Sequence, residues 1–232
     1  MAEQLFLHQE ALLLLLEDKR GTTHAALRSD PWQLVVALGL YAELVLHQRI
    51  EARAEELSTM GTIARRFTSG HGDYVVRAIS EAPLGDELLD DCLQRVVASK
   101  KELWAVDWVN SFRGTKKLKD RTAAVLVDRG NLRAESRRVF PFGRRSVYLP
   151  EDPATERVLV GRLREAIFDD TSEPDERTSV LVAVLYCTAD LGRVYGKKEI
   201  QARQDRIEKV VIGRSDLAVS IGRITNNWRA DA

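Results

Sequence analysis

Along most of this chain, apolar residues recur at the three-and-four spacing that gathers them on one face of a helix. Residues 5–17 predict a first helix, ended by the turn Lys19-Arg20-Gly21-Thr22. A second opens with Asp30 at the N-cap and Pro31 at the first helical position, then runs from Trp32 to Leu46. It is apolar on almost every face, the pattern of a helix enclosed by others, and so predicts the centre of the domain. Residues 48–54 alternate and predict a short strand. Ser69-Gly70-His71-Gly72-Asp73 marks a turn among short strands within residues 60–78.

Further on, Pro83-Leu84-Gly85-Asp86 caps a helix with Leu88, Leu89, Cys92, Leu93, Val96 and Val97 at helical spacing. Residues 104–112 form a short helical piece ending at Gly114, and residues 118–129 a longer one. Gly130 stands where a left-handed residue would end that helix. Within residues 131–148, two β-prone arms around Pro141 and Gly143 predict a hairpin. Glu151-Asp152-Pro153 opens a helix to about Phe168, followed by an acidic loop over residues 169–176 and an apolar helix over residues 177–195. Residues 200–212 and 216–228 predict closing helices, and no linker, low-complexity run or internal repeat interrupts the series. The expected fold is mainly α: residues 1–232 as a single domain of amphipathic helices around a hydrophobic central helix, with a protruding β-hairpin.

Composition sharpens this picture in two places. Thirty-five basic and thirty-five acidic residues cancel, so a charge-driven partner must be met by a local patch. The longest apolar stretch, residues 32–46, is interrupted by Gln33 and Glu43 and falls short of the roughly 20 residues that span a bilayer. The run at residues 11–16 has no basic leader and is followed by charge, unlike a signal core. Cys92 and Cys187 lie far apart in apolar runs without zinc spacing, and read as buried thiols in a reducing compartment.

Catalytic chemistry finds little support. His8, His24, His47 and His71 are scattered, with no ligand set for a metal beside them. Asp90-Asp91 and Asp169-Asp170 are adjacent pairs whose side chains diverge, and Gly70-His71-Gly72 lacks the third glycine of a nucleotide fingerprint. The expectation is a binding protein, not an enzyme, with no cofactor and no metal.

The charge distribution says more. From Arg113 to Arg145 there are eleven basic residues against Asp120, Asp128 and Glu135, a surplus of eight that the rest of the chain must offset. Inside that segment, Arg137-Arg138 and Arg144-Arg145 bracket Val139-Phe140-Pro141-Phe142-Gly143. Two phenylalanines at a turn between arginine pairs match an anionic lipid surface, where rings enter the headgroup boundary and each arginine gains about 1 kcal/mol. The same rings would also suit a dimer contact or packing back on the domain. A basic helix followed by a basic hairpin is also what a winged helix offers to nucleic acid.

Several segments, in order and spacing, carry a resemblance. They are Leu5-Phe6-Leu7-His8-Gln9-Glu10-Ala11-Leu12-Leu13-Leu14, Tyr41-Ala42-Glu43-Leu44-Val45-Leu46-His47-Gln48-Arg49-Ile50 and Ala82-Pro83-Leu84-Gly85-Asp86-Glu87-Leu88-Leu89-Asp90. Leu126-Val127-Asp128-Arg129-Gly130-Asn131-Leu132 follows, then Asp175-Glu176-Arg177 leading into Leu185-Tyr186-Cys187-Thr188-Ala189-Asp190-Leu191. Together they resemble the Golgi phosphoprotein 3 (GPP34) family of phosphatidylinositol 4-phosphate effectors. The compact length and the lack of an arginine-rich N-terminal tail point to a bacterial-type member, to which the Golgi role is not carried over.

The resemblance implies a helical domain, phosphoinositide headgroup binding at a basic pocket beside the hairpin, membrane contact or oligomerisation through the hairpin, and no enzymatic activity. The family's two arginines on the helix before the hairpin fall at Lys116 and Lys119, with Arg121 beyond. Lysine keeps the charge but not the bidentate fork that suits phosphate. The family's arginine on the central helix falls at Ala37, and its tryptophan near Arg28, with Trp32 one turn later.

The expected function is therefore peripheral membrane binding from the cytoplasm to anionic phospholipid headgroups. Lys116, Lys119, Arg121 and Trp32 would form the headgroup site. Arg137, Arg138, Arg144 and Arg145 would hold the hairpin on the bilayer while Phe140 and Phe142 insert. Two alternatives stand beside it: a protein-interaction adaptor self-associating through the hairpin, with possible protein cargo, and a winged-helix-like nucleic-acid binder, which the resemblance disfavours.

Overall fold

A computed structural model describes residues 4–16, 31–54, 74–139, 143–212 and 215–230. Its elements, in chain order, begin with α1 (Leu7–Leu15), α2 (Pro31–Leu46), β1 (Ile50–Ala54), β2 (Tyr74–Ala78), α3 (Glu87–Val97), β3 (Leu103–Trp104), α4 (Ala105–Arg113) and α5 (Leu118–Asp128). They continue with β4 (Leu132–Val139), β5 (Gly143–Pro150), α6 (Pro153–Phe168), α7 (Glu176–Cys187), α8 (Leu191–Val194), α9 (Lys197–Ala202), α10 (Gln204–Ile212) and α11 (Asp216–Ala230). The molecule is mainly helical, with two small antiparallel sheets among the described residues.

The all-round apolar character of α2 has its expected consequence: Val35, Val36, Ala37, Leu38, Leu40, Tyr41, Ala42 and Leu44 are fully buried. Around it pack α1, α3, α4, α7 and α11, and its closest neighbour is α1. Gly39 permits that approach, since a Cβ there would stand 2.7 Å from the His8 Cα. α7 is a second buried helix, with residues 178–185 all buried.

Short carboxylates set the helix starts. Asp86 accepts from the amides of Leu88 and Leu89 at 3.1 and 2.9 Å, Asp152 from Ala154 at 2.8 Å ahead of Pro153, and Asp175 from Thr178 at 2.7 Å.

Three boundaries differ from the sequence reading. Residues 103–104 pair with β2 as the edge strand of the β1-β2-β3 sheet, so the helix begins at Ala105. The apolar stretch 177–195 is broken after Cys187, where Ala189 takes φ 64° and Asp190, fully buried, pairs with Arg193 at 2.7 Å. Periodicity runs through that break because both pieces face the same core. The stretch 200–212 divides at Arg203, whose guanidinium turns away to the Ile167 carbonyl at 3.0 Å and to Asp170 at 2.5 Å. The predicted turn at residues 69–73 lies outside the described residues, while β2 falls within the predicted 60–78 region.

Candidate functional site

The basic segment folds as α4, α5 and the hairpin. α5 ends as its sequence requires: Gly130 takes φ 73°, and the amides of Gly130 and Asn131 return to the carbonyls of Val127 and Leu126 at 2.9 Å each. This turn delivers the chain directly into β4. The hairpin then locks back onto the start of α5. The Tyr148 phenol donates to Asp120 Oδ1 at 2.7 Å, and the Lys119 ammonium lies 5.7 Å from the Tyr148 ring centroid. Burial, with the Asp120 carboxylate beside it, pushes this phenol up to about 12.

Register decides which charges share a face. Leu132 pairs with Pro150, Ala134 with Tyr148, Ser136 with Ser146, Arg137 with Arg145 and Arg138 with Arg144. Alternation puts Ala134, Ser136 and Arg138 with Tyr148, Ser146 and Arg144 on one face, and Arg133, Glu135 and Arg137 on the other. The second face, where the register also sets Arg145 opposite Arg137, is partly offset from within. Glu135 lies 3.2 Å from both Arg133 and Arg137, and Arg133 also meets Glu151 at 3.2 Å. On the first face Arg138 and Arg144 are exposed, and no carboxylate among the described residues reaches either. Like charges directly opposite one another destabilise a strand pair, so this hairpin carries a cost at its outer end.

The residues expected at a headgroup pocket have different surroundings. Lys116 is exposed. Lys119 is buried, 8% accessible, against Tyr148. Arg121 is turned toward α3, where it ion-pairs with Glu87 at 3.0 Å and with Asp91. Trp32 is buried at the head of α2, and Ala37 has no access to solvent at all. Phe140 and Phe142 lie outside the described residues.

A second constellation escaped the sequence reading. Glu43, fully buried in the last turn of α2, accepts from the Leu7 amide at 2.5 Å, from Arg177 at 2.7 Å and sits 3.0 Å from the His47 ring. Arg177 also donates to the Leu5 carbonyl at 2.5 Å and approaches Glu10 at 3.7 Å, and Glu10 pairs with Arg162 at 2.8 Å. Gln9 donates to Asp86 at 2.8 Å, so the α3 cap belongs to the same network. His8 is enclosed beside it, 3.7 Å from Asp86, and burial lowers its pKa to about 4. The signal was present: Glu10 and Glu43 are carboxylates inside leucine-rich helices, and a buried charge implies a partner.

Cys92 is buried, its thiol pushed up to about 12 by desolvation, whereas Cys187 is only partly covered and lines a cavity of about 610 Å³ with Leu191, Ile200 and Gly222. Among the described residues no group of three or more His, Cys, Asp and Glu side chains could hold a metal ion. None of the described helices is long and apolar enough to cross a membrane.

A helical body threaded by one apolar helix, knit by buried ion pairs and bearing an exposed arginine-rich hairpin, defines a class of helical proteins with a charged projection. Residues 7–223 match the family model described as Golgi phosphoprotein 3 (GPP34), and the chain belongs to that family. The match takes in α2, the charged residues of the ion network and the whole hairpin. The segments that carry the resemblance are also those that meet physically: Leu5 to Glu10, Glu43 to His47, Asp86 and Arg177 form the network, and residues 126–132 make the turn into the hairpin.

Proposed function

We propose that the protein binds anionic phospholipid at a membrane surface, peripherally, through the hairpin and the adjoining start of α5. One observation carries this reading: the register stacks arginine opposite arginine twice in succession at the end of the hairpin remote from α5. A folded protein gains nothing from that arrangement by itself. An anionic surface turns the cost into attraction, at about 1 kcal/mol for each arginine close to the headgroups.

Membership of the Golgi phosphoprotein 3 family supports the same reading, with a phosphatidylinositol 4-phosphate-like headgroup as the natural candidate. Lys116, exposed on the approach to α5, adds to the attraction. Lys119 and Arg121 act one step behind it, holding Tyr148 and α3 so that hairpin and helix keep a fixed angle. Phe140 and Phe142 enter the headgroup boundary between the arginine pairs. The protein acts by binding and performs no chemistry on the lipid.

The test is sedimentation with phosphatidylcholine vesicles containing phosphatidylserine or phosphatidylinositol 4-phosphate. Phe140→Asp with Phe142→Asp should abolish recovery with the vesicles while leaving the helical circular dichroism unchanged. Full recovery of that variant rejects insertion.

A further inference from the structure

The two faces of the hairpin differ in a way that the bare sequence, with its symmetric arginine pairs, conceals. We infer that Arg138 and Arg144, backed by Ser136 and Ser146, form the phosphate-binding face of the hairpin, and that its ligand is the phosphate of membrane phospholipid. The opposite face is structural. This rests on the reading that the hairpin meets a membrane, and adds which side of it does so.

Three observations lead there. Arg138 and Arg144 are direct cross-strand partners, as are Ser136 and Ser146 one step inward. In an antiparallel pair such partners have Cβ atoms roughly 5 Å apart, with the next same-face pair about 7 Å along the strand. Two guanidinium forks and the Ser136 hydroxyl are thereby directed to one patch and can donate to phosphate oxygens, while the Ser146 hydroxyl bonds the Tyr148 phenol and ties the patch to it. All four residues are exposed.

The second observation is charge balance. On the opposite face, where the register also sets Arg145, a chain of contacts at 3.2 Å joins Arg133, Glu135, Arg137 and Glu151, so that two of the cations meet two anions. An arriving phosphate would have to displace carboxylates there. No such competitor stands among the described residues around Arg138 and Arg144.

Third, the phosphate-binding face continues inward to Tyr148, Lys119 and the start of α5. It therefore joins the exposed Lys116 side of the molecule and does not form an isolated patch. A bilayer offers phosphates at both places at once. With a Debye length of about 8 Å at physiological salt, cations on the other face contribute little to that contact.

Matched charge removal tests this in the full chain at 0.15 M salt, on phosphatidylcholine vesicles with and without phosphatidylserine. Arg138→Gln with Arg144→Gln should reduce partitioning onto phosphatidylserine vesicles roughly thirty-fold, the equivalent of two arginine contacts at about 1 kcal/mol each. Arg133→Gln with Arg137→Gln removes the same formal charge and should change partitioning less than about five-fold. The first variant also loses a like-charge pair, so its Tm should hold or rise.

Equal losses in the two variants would overturn the assignment of faces while leaving membrane binding intact, as would a fall in Tm for the Arg138/Arg144 variant. Absence of wild-type binding to every vesicle would overturn both readings. Retardation of duplex DNA by the wild type at the same salt, lost in the Arg138/Arg144 variant and without vesicle binding, would reassign the face to nucleic acid.

Discussion

Two residues show how closely this molecule is held. Arg177 is the hub of the buried network, contacting Glu43 at 2.7 Å and the Leu5 carbonyl at 2.5 Å. Replacing it with methionine leaves Glu43 enclosed without its arginine, and Glu10 with Arg162 alone. Removing one partner of a buried ion pair typically costs about 3–5 kcal/mol. For a chain of this size, calorimetry of Arg177→Met should show a Tm lowered by about 10 °C or more. Gly39 is the steric counterpart. Its missing side chain lets α1 lie against α2, and the atoms that a Cβ would strike, at 2.7 and 2.8 Å, belong to the His8 backbone. A flexible side chain could move aside, but a helix backbone cannot without separating the helices. Gly39→Ala should therefore destabilise by about 2–3 kcal/mol in urea titration despite its better helix propensity. Neither residue stands out in the sequence, where an arginine after an acidic loop and a glycine in an apolar helix are both ordinary.

At the scale of elements, local chemistry was legible and its interruptions were not. Asp86, Asp152 with Pro153, and Gly130 each marked a helix end that the structure contains. They did so because a cap is made by residues two to five positions apart. The strand at Leu103–Trp104 and the break at Arg203 depend on partners far along the chain: β2 for the first, and Asp170 on the α6–α7 connection for the second. The hairpin belongs to both kinds. Its existence was readable from turn residues and β-prone arms, but the sorting of its arginines into a face that carries glutamates and one that carries none required the register. A slip of one residue would exchange every side chain between faces. The headgroup residues suggested by family resemblance met the same limit. Lys119 and Arg121 look alike as cations on a helix, yet one is packed on Tyr148 and the other is bound to α3.

For the whole molecule, the enclosed His8 links stability to pH. Its pKa falls from 6.5 to about 4, chiefly because burial disfavours the charged ring, while Asp86 and Glu43 oppose that shift and Arg177 adds to it. Between those values the unfolded chain takes up a proton that the native protein refuses, so stability declines as pH falls from about 6.5 toward 4. The expected loss is of order 1–3 kcal/mol. A His8→Asn variant should show a flatter slope of Tm against pH over that window, whatever its absolute stability. A slope as steep as the wild type's would place the titration on other groups. The charge plan has the same global character: a neutral chain keeps its cationic surplus between Arg113 and Arg145, where α5 spends part of it on the acidic α3 and the hairpin carries the remainder outward.

What the amino-acid order determined alone is what neighbours along the chain can settle. That covers the helical periodicity, the caps, the apolar identity of α2, the turn before the hairpin and the concentration of positive charge. The tertiary structure decided which of those charges point outward. Burial and pairing depend on residues brought together from distant segments, as Glu43 meets Arg177 and Arg121 meets Asp91. A side chain's value to a ligand depends on what already holds it.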